Sequence, residues 1–538
     1  MTDDLFYLRS NVVIEPLFNN WYAWTHLIYP PTAALNMVER HLKIMDSYVQ
    51  APHIHEAAVR SSKMKGGPFM DFEKQRVREV QDLYNKTCDT NKDLLELAAA
   101  IKELNNLLEQ NARGHSLEPL YERIPDALKG YVELVYDLNN QTSFRFFESL
   151  LYKSRSYDTG SQSLALWLTN NDERPFVLST PKLEQENVIL IDRAFSDAVI
   201  DRLAAMKREA APIADLKELL KIPPEKDRLF SSFFTRESPK PYQRYQGDKI
   251  RMRYFGHACI LIETGEFNIL IDPLISYYGY HSQVDHYSDN DLPDEIDYIL
   301  ITHNHQDHIL FETLLPLRHK ARNIIVPKTT SGSLQDPNVK LILNAIGFKN
   351  VIEIGEMESL PFGDCTITGV PFIGEHSDLN VQSKICYHVR IGDFAILFVA
   401  DSSNVEPRVY EHVKDILGEV DTLFLGMECD GAPLSWLYGP LLPRKLERDK
   451  DQSRRLAGSD FNRGRSLVDI FNAKEVYVYA MGQEPWVEFI SSIKYTDESN
   501  PIVASNKLIS YCKNNNVIAE RLYGEKELMY DRNYATIE

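Results

Sequence analysis

Apolar positions recur along this chain with two different periods, and the change from one to the other near residue 249 divides it in two. Over residues 73–112 they fall three and four apart among many Glu, Lys, Gln and Leu, which predicts one or two amphipathic helices. A similar texture predicts further helix near 128–154 and 194–221. Residues 1–70 are rich in aromatics, including Trp21, Tyr22, Trp24 and Tyr29, and contain Pro30-Pro31; they read as mixed strand and turn followed by a helix. The polar run Arg236-Glu237-Ser238-Pro239-Lys240-Pro241 reads as a linker.

After Lys249 the runs shorten and become strand-like. Ile250 to Phe255 and Cys259 to Glu263 predict strands around Gly256-His257, and Asn268 to Ile271 predicts another ending at Asp272-Pro273. A strand over Tyr298 to Ile301, a helix near 309–320 and a strand from Asn323 to Val326 follow. Later strands are expected at 351–354, 365–370, 384–391, 394–399 and 476–480. Two runs of strands with helices between them fit an αβ/βα sandwich. The expected organisation is therefore α/β: a mixed α+β N-terminal domain over 1–245 and a catalytic sandwich over 246–538.

Composition narrows the class. At 538 residues, 43% hydrophobic and 25% charged, the chain can bury a large core. No apolar run reaches the roughly 18 residues of a membrane span, and Met1-Thr2-Asp3-Asp4 lacks the basic and apolar regions of a signal peptide. The six cysteines are scattered, with no C-x-x-C pair, and several lie in apolar runs, so a cytoplasmic protein with reduced core thiols is expected. A formal charge of −19 argues against nucleic acid or an anionic membrane as the main partner.

The chemistry concentrates in His303-Asn304-His305-Gln306-Asp307-His308, an H-x-H-x-D-H run directly after an apolar strand. Three imidazoles and a carboxylate in six residues point to metal, and their spacing separates them into two pairs, one for each of two ions. The run resembles the ligand motif of the metallo-β-lactamase superfamily. Two further acidic strand ends follow: Gly374-Glu375-His376 and Asp401, the latter closing the apolar run Ala395 to Ala400. Asp401 is the natural bridge between two ions. In an extended segment Glu375 and His376 would point opposite ways, so only one is expected to face the metals. The chain has no histidine after His412, whereas hydrolases of this superfamily usually take a last histidine near the C-terminus. A carboxylate-rich set inclines the site toward iron or manganese rather than zinc.

Taken with Pro16-Leu17-Phe18, Trp21-Tyr22-Ala23-Trp24, Gly66-Gly67-Pro68-Phe69 and the segment Glu428 to Leu441, these motifs resemble the di-iron β-hydroxylases of non-ribosomal peptide synthesis over essentially the whole chain. The resemblance implies two irons in an oxo-bridged cluster, with His303, His305 and Glu375 on one, Asp307 and His308 on the other, and Asp401 bridging. It also implies dioxygen as co-substrate and an aminoacyl thioester, aromatic or aliphatic such as leucine, carried on a thiolation domain in antibiotic or natural-product biosynthesis. It implies, too, an N-terminal domain that dimerises and frames the substrate entrance. No G-x-G-x-x-G occurs in a βαβ context, so electrons are expected from an external reductase.

Around the ligands, Asp272 is expected to orient a ligand histidine, with a plain turn residue as the alternative. His257 is expected near the site or as a core histidine, His376 beside the ligands, and Glu428 over the open metal position or as a buried structural carboxylate. Residues 444–465 hold eight basic residues against four acidic ones, and Arg454 and Arg455 within this stretch are expected to dock the acidic carrier or the phosphate of its arm, unless the stretch is a solvated loop. The competing readings are a binuclear zinc hydrolase of the same fold acting on an ester, thioester or lactone, and a non-catalytic assembly subunit.

Overall fold

The computed structural model describes residues 5–61, 64–278 and 284–532; the opening tetrapeptide read above for a signal lies outside them. Two seven-stranded sheets form the C-terminal part. The first runs, edge to edge, Val351–Ile354, Ala321–Pro327, Ile296–Leu300, Asn268–Ile271, Ile260–Glu263, Ile250–Tyr254 and Lys526–Tyr530. The second runs Ser359–Phe362, Cys365–Val370, Cys386–Ile391, Phe394–Phe398, Thr422–Gly426, Glu475–Tyr479 and Ile518–Arg521. Ile260, Ile262, Ile269 and Ile271 of the first meet Ile367, Tyr387, Val389 and Phe398 of the second in one buried cluster, so the sheets face each other. Phe394–Phe398 is buried along its whole length, as expected of a strand covered on both faces.

The direction of the strands places the site. Asn268–Ile271, Ile296–Leu300, Ala321–Pro327 and Val351–Ile354 are parallel, as are Phe394–Phe398, Thr422–Gly426, Glu475–Tyr479 and Ile518–Arg521. Asp272, the 302–308 loop, Asp401, Glu428 and the turn after Tyr479 all follow carboxyl ends of these strands. That is where open α/β sheets build their sites.

The N-terminal part contributes a four-stranded sheet (Trp21–Tyr22, Val12–Phe18, Gln162–Leu168, Ile189–Asp192) and helices Val77–Thr90 and Lys92–Asn111. Both helices expected over 73–112 are present. The helix expected near 128–154 is instead a hairpin, Val132–Tyr136 paired with Thr142–Phe146, followed only by the short helix Glu148–Leu151. Leu134 and Phe144 are buried while their neighbours face outward, a period-2 pattern that the tight turn at Asn139-Asn140 closes.

Charge ties the two parts together beneath the ligand loop. Arg174 forks onto Glu312 at 2.8 and 2.9 Å, lies 3.4 Å from Glu15 and stacks 3.8 Å over the Phe489 ring. Lys182 completes the group at 2.9 Å from Glu15. Every charge is paired, which burial demands. Glu312 belongs to Phe311–Leu317, the helix that leaves the ligand loop, so this group anchors that helix to the N-terminal sheet.

Glu148 makes a second link: its carboxylate accepts the Asn338 N–H at 3.0 Å. Burial pushes this carboxyl up to about 8, against the pull of that hydrogen bond. A carboxyl raised above its unfolded value favours the folded state below the unfolded pKa, and that contribution is lost as pH climbs through the folded one. We expect Glu148→Gln to gain on the wild type by on the order of 2–4 kcal/mol between pH 4.5 and 8.5, read as the difference in urea unfolding free energy at the two pH values. A pH-independent difference would refute the buried ionisation.

Candidate metal centre

The 302–308 loop is held by one buried carboxylate. Asp272 accepts the Thr302 N–H at 2.8 Å and its hydroxyl at 2.6 Å, and Asp272 Oδ2 lies 2.8 Å from His308 Nδ1. Asp272 is fully buried and sits at φ 40°, a left-handed conformation that the strand end imposes. With Nδ1 committed to Asp272, His308 turns Nε2 toward the opposite lobe, 3.0 Å from Asp401 Oδ2. His303 Nε2 faces the same oxygen at 3.7 Å. Asp401 thus stands between two histidines of the loop.

The second lobe departs from the extended geometry expected for it. Gly374, Glu375, Ser377 and Asp378 all have φ between 54° and 72°, so the segment is a left-handed turn. A Cβ on Gly374 would meet Ser403 Cβ at 2.8 Å, which is why glycine opens it. The turn brings both neighbours to one side. Glu375 Oε1 lies 3.1 Å from His305 Nδ1, while His376 stacks on the His305 ring at 4.5 Å between centroids, with Nδ1 2.7 Å from Glu375 Oε2. The expectation that only one of them could face the site is therefore corrected: alternation fails because the backbone is not a strand here.

Three groups of donor atoms result, each with its atoms within 4.8 Å: His303, His305 and Glu375; His257, Asp307 and His308; and His303, His308 and Asp401. The third group shares one histidine with each of the others, so Asp401 joins two sites rather than forming a third. His257 Nδ1 accepts the Gly482 N–H at 3.2 Å, which leaves its proton on Nε2, facing Asp307 Oδ2 at 3.2 Å. In that tautomer His257 braces Asp307 instead of offering a lone pair. Gly482 belongs to the turn after Glu475–Tyr479, where the sequence lacks a last histidine.

The electrostatics call for cations. Asp307, Glu375 and Asp401 converge with Glu428, whose carboxyl is pushed well above the usual range by burial and then by those three charges. Burial opposes a charge on His308, yet Asp401, Asp272 and Asp307 hold it protonated well above its ordinary range. His303 is driven the other way by burial and by its neighbouring histidines. His303 Nε2, Glu375 Oε2 and Asp401 Oδ1 are buried without a hydrogen-bond partner. Such atoms are costly unless something binds them. Three imidazoles with three carboxylates form a donor set suited to two oxygen-preferring transition-metal ions.

Residues 7–239 match the diiron non-heme β-hydroxylase N-terminal domain family, and residues 267–431 match the β-lactamase superfamily domain. The chain is 38% identical, over 97% of its length and 99% of the relative's, to the 4-amino-L-phenylalanyl-[CmlP-peptidyl-carrier-protein] 3-hydroxylase of Streptomyces venezuelae. It belongs to the diiron non-heme β-hydroxylase family. The fold agrees with the crystal structure of CmlA, a diiron β-hydroxylase from Streptomyces venezuelae, at a TM-score of 0.92 and 36% identity, covering 98% of this chain and all of that one. A UPF0173 protein of Pyrococcus abyssi is 30% identical over 33% of the chain and 69% of its own length. These relationships favour the diiron β-hydroxylase over the zinc hydrolase weighed from the sequence, and the donor set above fits two irons.

Other expected residues of this diiron β-hydroxylase fall as follows. Glu428 faces the carboxylates but joins none of the three donor groups. Arg454 and Arg455 are half-buried, with each Nε on a backbone carbonyl: Ser377 O at 2.9 Å and Gly431 O at 2.6 Å. Arg454 thereby steadies the turn that carries Glu375. Sequence reasoning did not single out Tyr438, whose hydroxyl lies 3.3 Å from His305 Nε2. Its only signal was membership of the 428–441 segment.

Two substitutions test this geometry. Asp272→Asn keeps the size but leaves His308 without its anionic partner; metal retention should fall by roughly 10–100-fold, measured as loss to a chelator followed by elemental analysis. Gly374→Ala strains the left-handed turn and crowds Ser403; it should cost about 1–3 kcal/mol in urea unfolding and weaken the metal held beside Glu375. Wild-type retention in both variants would remove the proposed roles.

Proposed function

We propose that this diiron β-hydroxylase acts on the β-carbon of an aminoacyl group carried as a thioester on a peptide-synthetase thiolation domain. The observation that carries the proposal is Asp401 standing between two histidine–carboxylate groups in a chain that aligns end to end with an enzyme named for a carrier-bound aminoacyl substrate. In the balanced reaction one oxygen atom of O2 enters the β C–H bond and the other leaves as water, with two electrons from an external reductase and two protons from solvent.

When bound, two irons supply the dioxygen chemistry that no side chain of the chain can perform. We assign His303, His305 and Glu375 to one iron, Asp307 and His308 to the other, and Asp401 to both. The protein's own part is positional. Asp272 fixes the ring of His308, His257 braces Asp307, and the left-handed turn presents Glu375. Glu428, protonated by its surroundings, is placed to hold a proton beside the carboxylates. Burial of the whole group limits water at the reacting centre.

We further infer a cytoplasmic homodimer and a carrier docking face on the basic stretch 444–465. Among the described residues no helix is long and apolar enough to cross a membrane, and the six cysteines are unpaired. Because Arg454 and Arg455 are bound to backbone carbonyls, the exposed Lys445 and Arg448 are the better contacts for an acidic carrier.

Purified enzyme should contain two irons per chain, with a ferric absorption band that bleaches on reduction, and should add one oxygen atom to carrier-loaded amino acids, seen by mass spectrometry of the carrier. Free amino acids should not react. Zinc with a featureless spectrum and hydrolysis of the thioester would replace the proposal. Lys445→Glu with Arg448→Glu should weaken carrier binding by roughly 10-fold with iron content unchanged; unchanged binding would move the docking face elsewhere.

A further inference from the structure

His305 differs from the other loop histidines in the nitrogen it turns to the site. Its Nδ1 lies 3.1 Å from Glu375 Oε1, within the group formed with His303, so Nδ1 is the atom offered to metal. A neutral imidazole that binds through Nδ1 must keep its proton on Nε2. The partner of Nε2 is the Tyr438 hydroxyl at 3.3 Å, itself buried.

Tyr438 ends Leu434–Tyr438, a five-residue helix too short to fix its own orientation. The N-terminal part holds it. Arg40 Nη2 donates to Trp436 O at 2.6 Å and to Leu437 O at 3.2 Å, satisfying carbonyls that so short a helix leaves open. Trp436 Nε1 donates to Gly66 O at 3.0 Å. From the other side the stacked pair Trp24 and His26 sets the His26 ring 6.2 Å from that of Tyr438. Arg40 lies in the single π-helical turn Met37–His41, a local widening that often marks a functional position. The ring of His41, at the end of that turn, lies flat on Trp21 at 4.1 Å, so the turn is braced.

We propose that Arg40, through the Leu434–Tyr438 helix and the Tyr438 hydroxyl, fixes the His305 tautomer that leaves Nδ1 free for metal. Arg40 and Tyr438 are positioning residues in this account; neither touches metal or substrate. The inference rests on the assignment of His305 as a ligand made above, and it gives the N-terminal domain a direct part in the integrity of the metal site.

The test compares Tyr438→Phe, Arg40→Met, Arg40→Lys and His305→Ala in the full-length iron-loaded enzyme. The readouts are the rate at which each iron is lost to a chelator, the position of the ferric absorption band, and near-ultraviolet circular dichroism as a check of fold. Tyr438→Phe and Arg40→Met should each speed the loss of one iron of the two by roughly 10-fold and shift the band, with the dichroism unchanged. Arg40→Lys, which keeps a donor and the charge, should restore most of the retention. If Tyr438→Phe retains iron as the wild type does while His305→Ala loses it, the relay is overturned and the ligand assignment stands. If Arg40→Met is wild-type while Tyr438→Phe is not, the link to the N-terminal domain is overturned. If His305→Ala keeps both irons, the assignment falls and the relay with it.

Discussion

Four carboxylates, Asp307, Glu375, Asp401 and Glu428, meet in one partly desolvated space, and most of the architecture exists to make that tolerable. Like charges at such range repel strongly in a medium poorer than water, and protons or cations must answer them. The neighbouring histidines answer in part, which is why His308 is held protonated and His303 is not. Metal ions answer fully. The strained backbone at Asp272, Glu375 and Ala400 is found at the ends of the segments that carry these groups, so the strain is localised where ligands converge. The two sheets, buried face to face, supply the rigidity that keeps such a cluster from relaxing apart.

Much of this could be read without coordinates. The ligand loop, Asp401 and Asp272 are each a polar residue at the end of an apolar run, and a costly residue in such a place advertises a purpose. The strands of the sandwich were legible for the same reason, since a buried strand writes its burial as an unbroken apolar run. What was not legible depends on long-range neighbours. Val132 to Phe146 carries enough Leu, Val and Phe to pass for a helix, and only the pairing of its two arms makes it a hairpin. His257 gains its meaning from Gly482, 225 residues away. Tyr438 lies in a short helix with no periodicity to reveal which way its hydroxyl points. Alternation misled at Glu375 and His376 because a run of positive φ is a tertiary outcome that one glycine hints at but does not dictate.

The two halves of the molecule are not a catalytic unit with an ornament. Arg174 joins Glu15 of the N-terminal sheet to Glu312 on the helix that leaves the ligand loop. Arg40 reaches the segment that covers His305 from the opposite side. The ligand loop is therefore gripped at both ends by a domain that supplies no ligand of its own. Relatives that share only the sandwich must stabilise their loops by other means.

The left-handed turn at Gly374 has a broader meaning. By setting a glutamate and a histidine on the same side, both buried and both beside His305, it keeps an oxygen donor and a nitrogen donor within reach of one metal position. Metallohydrolases and oxygenases of this architecture are usually thought of as distinct solutions. Here the two ligand chemistries are adjacent residues on a shared bend, separated by a side-chain rotation rather than by a change of fold.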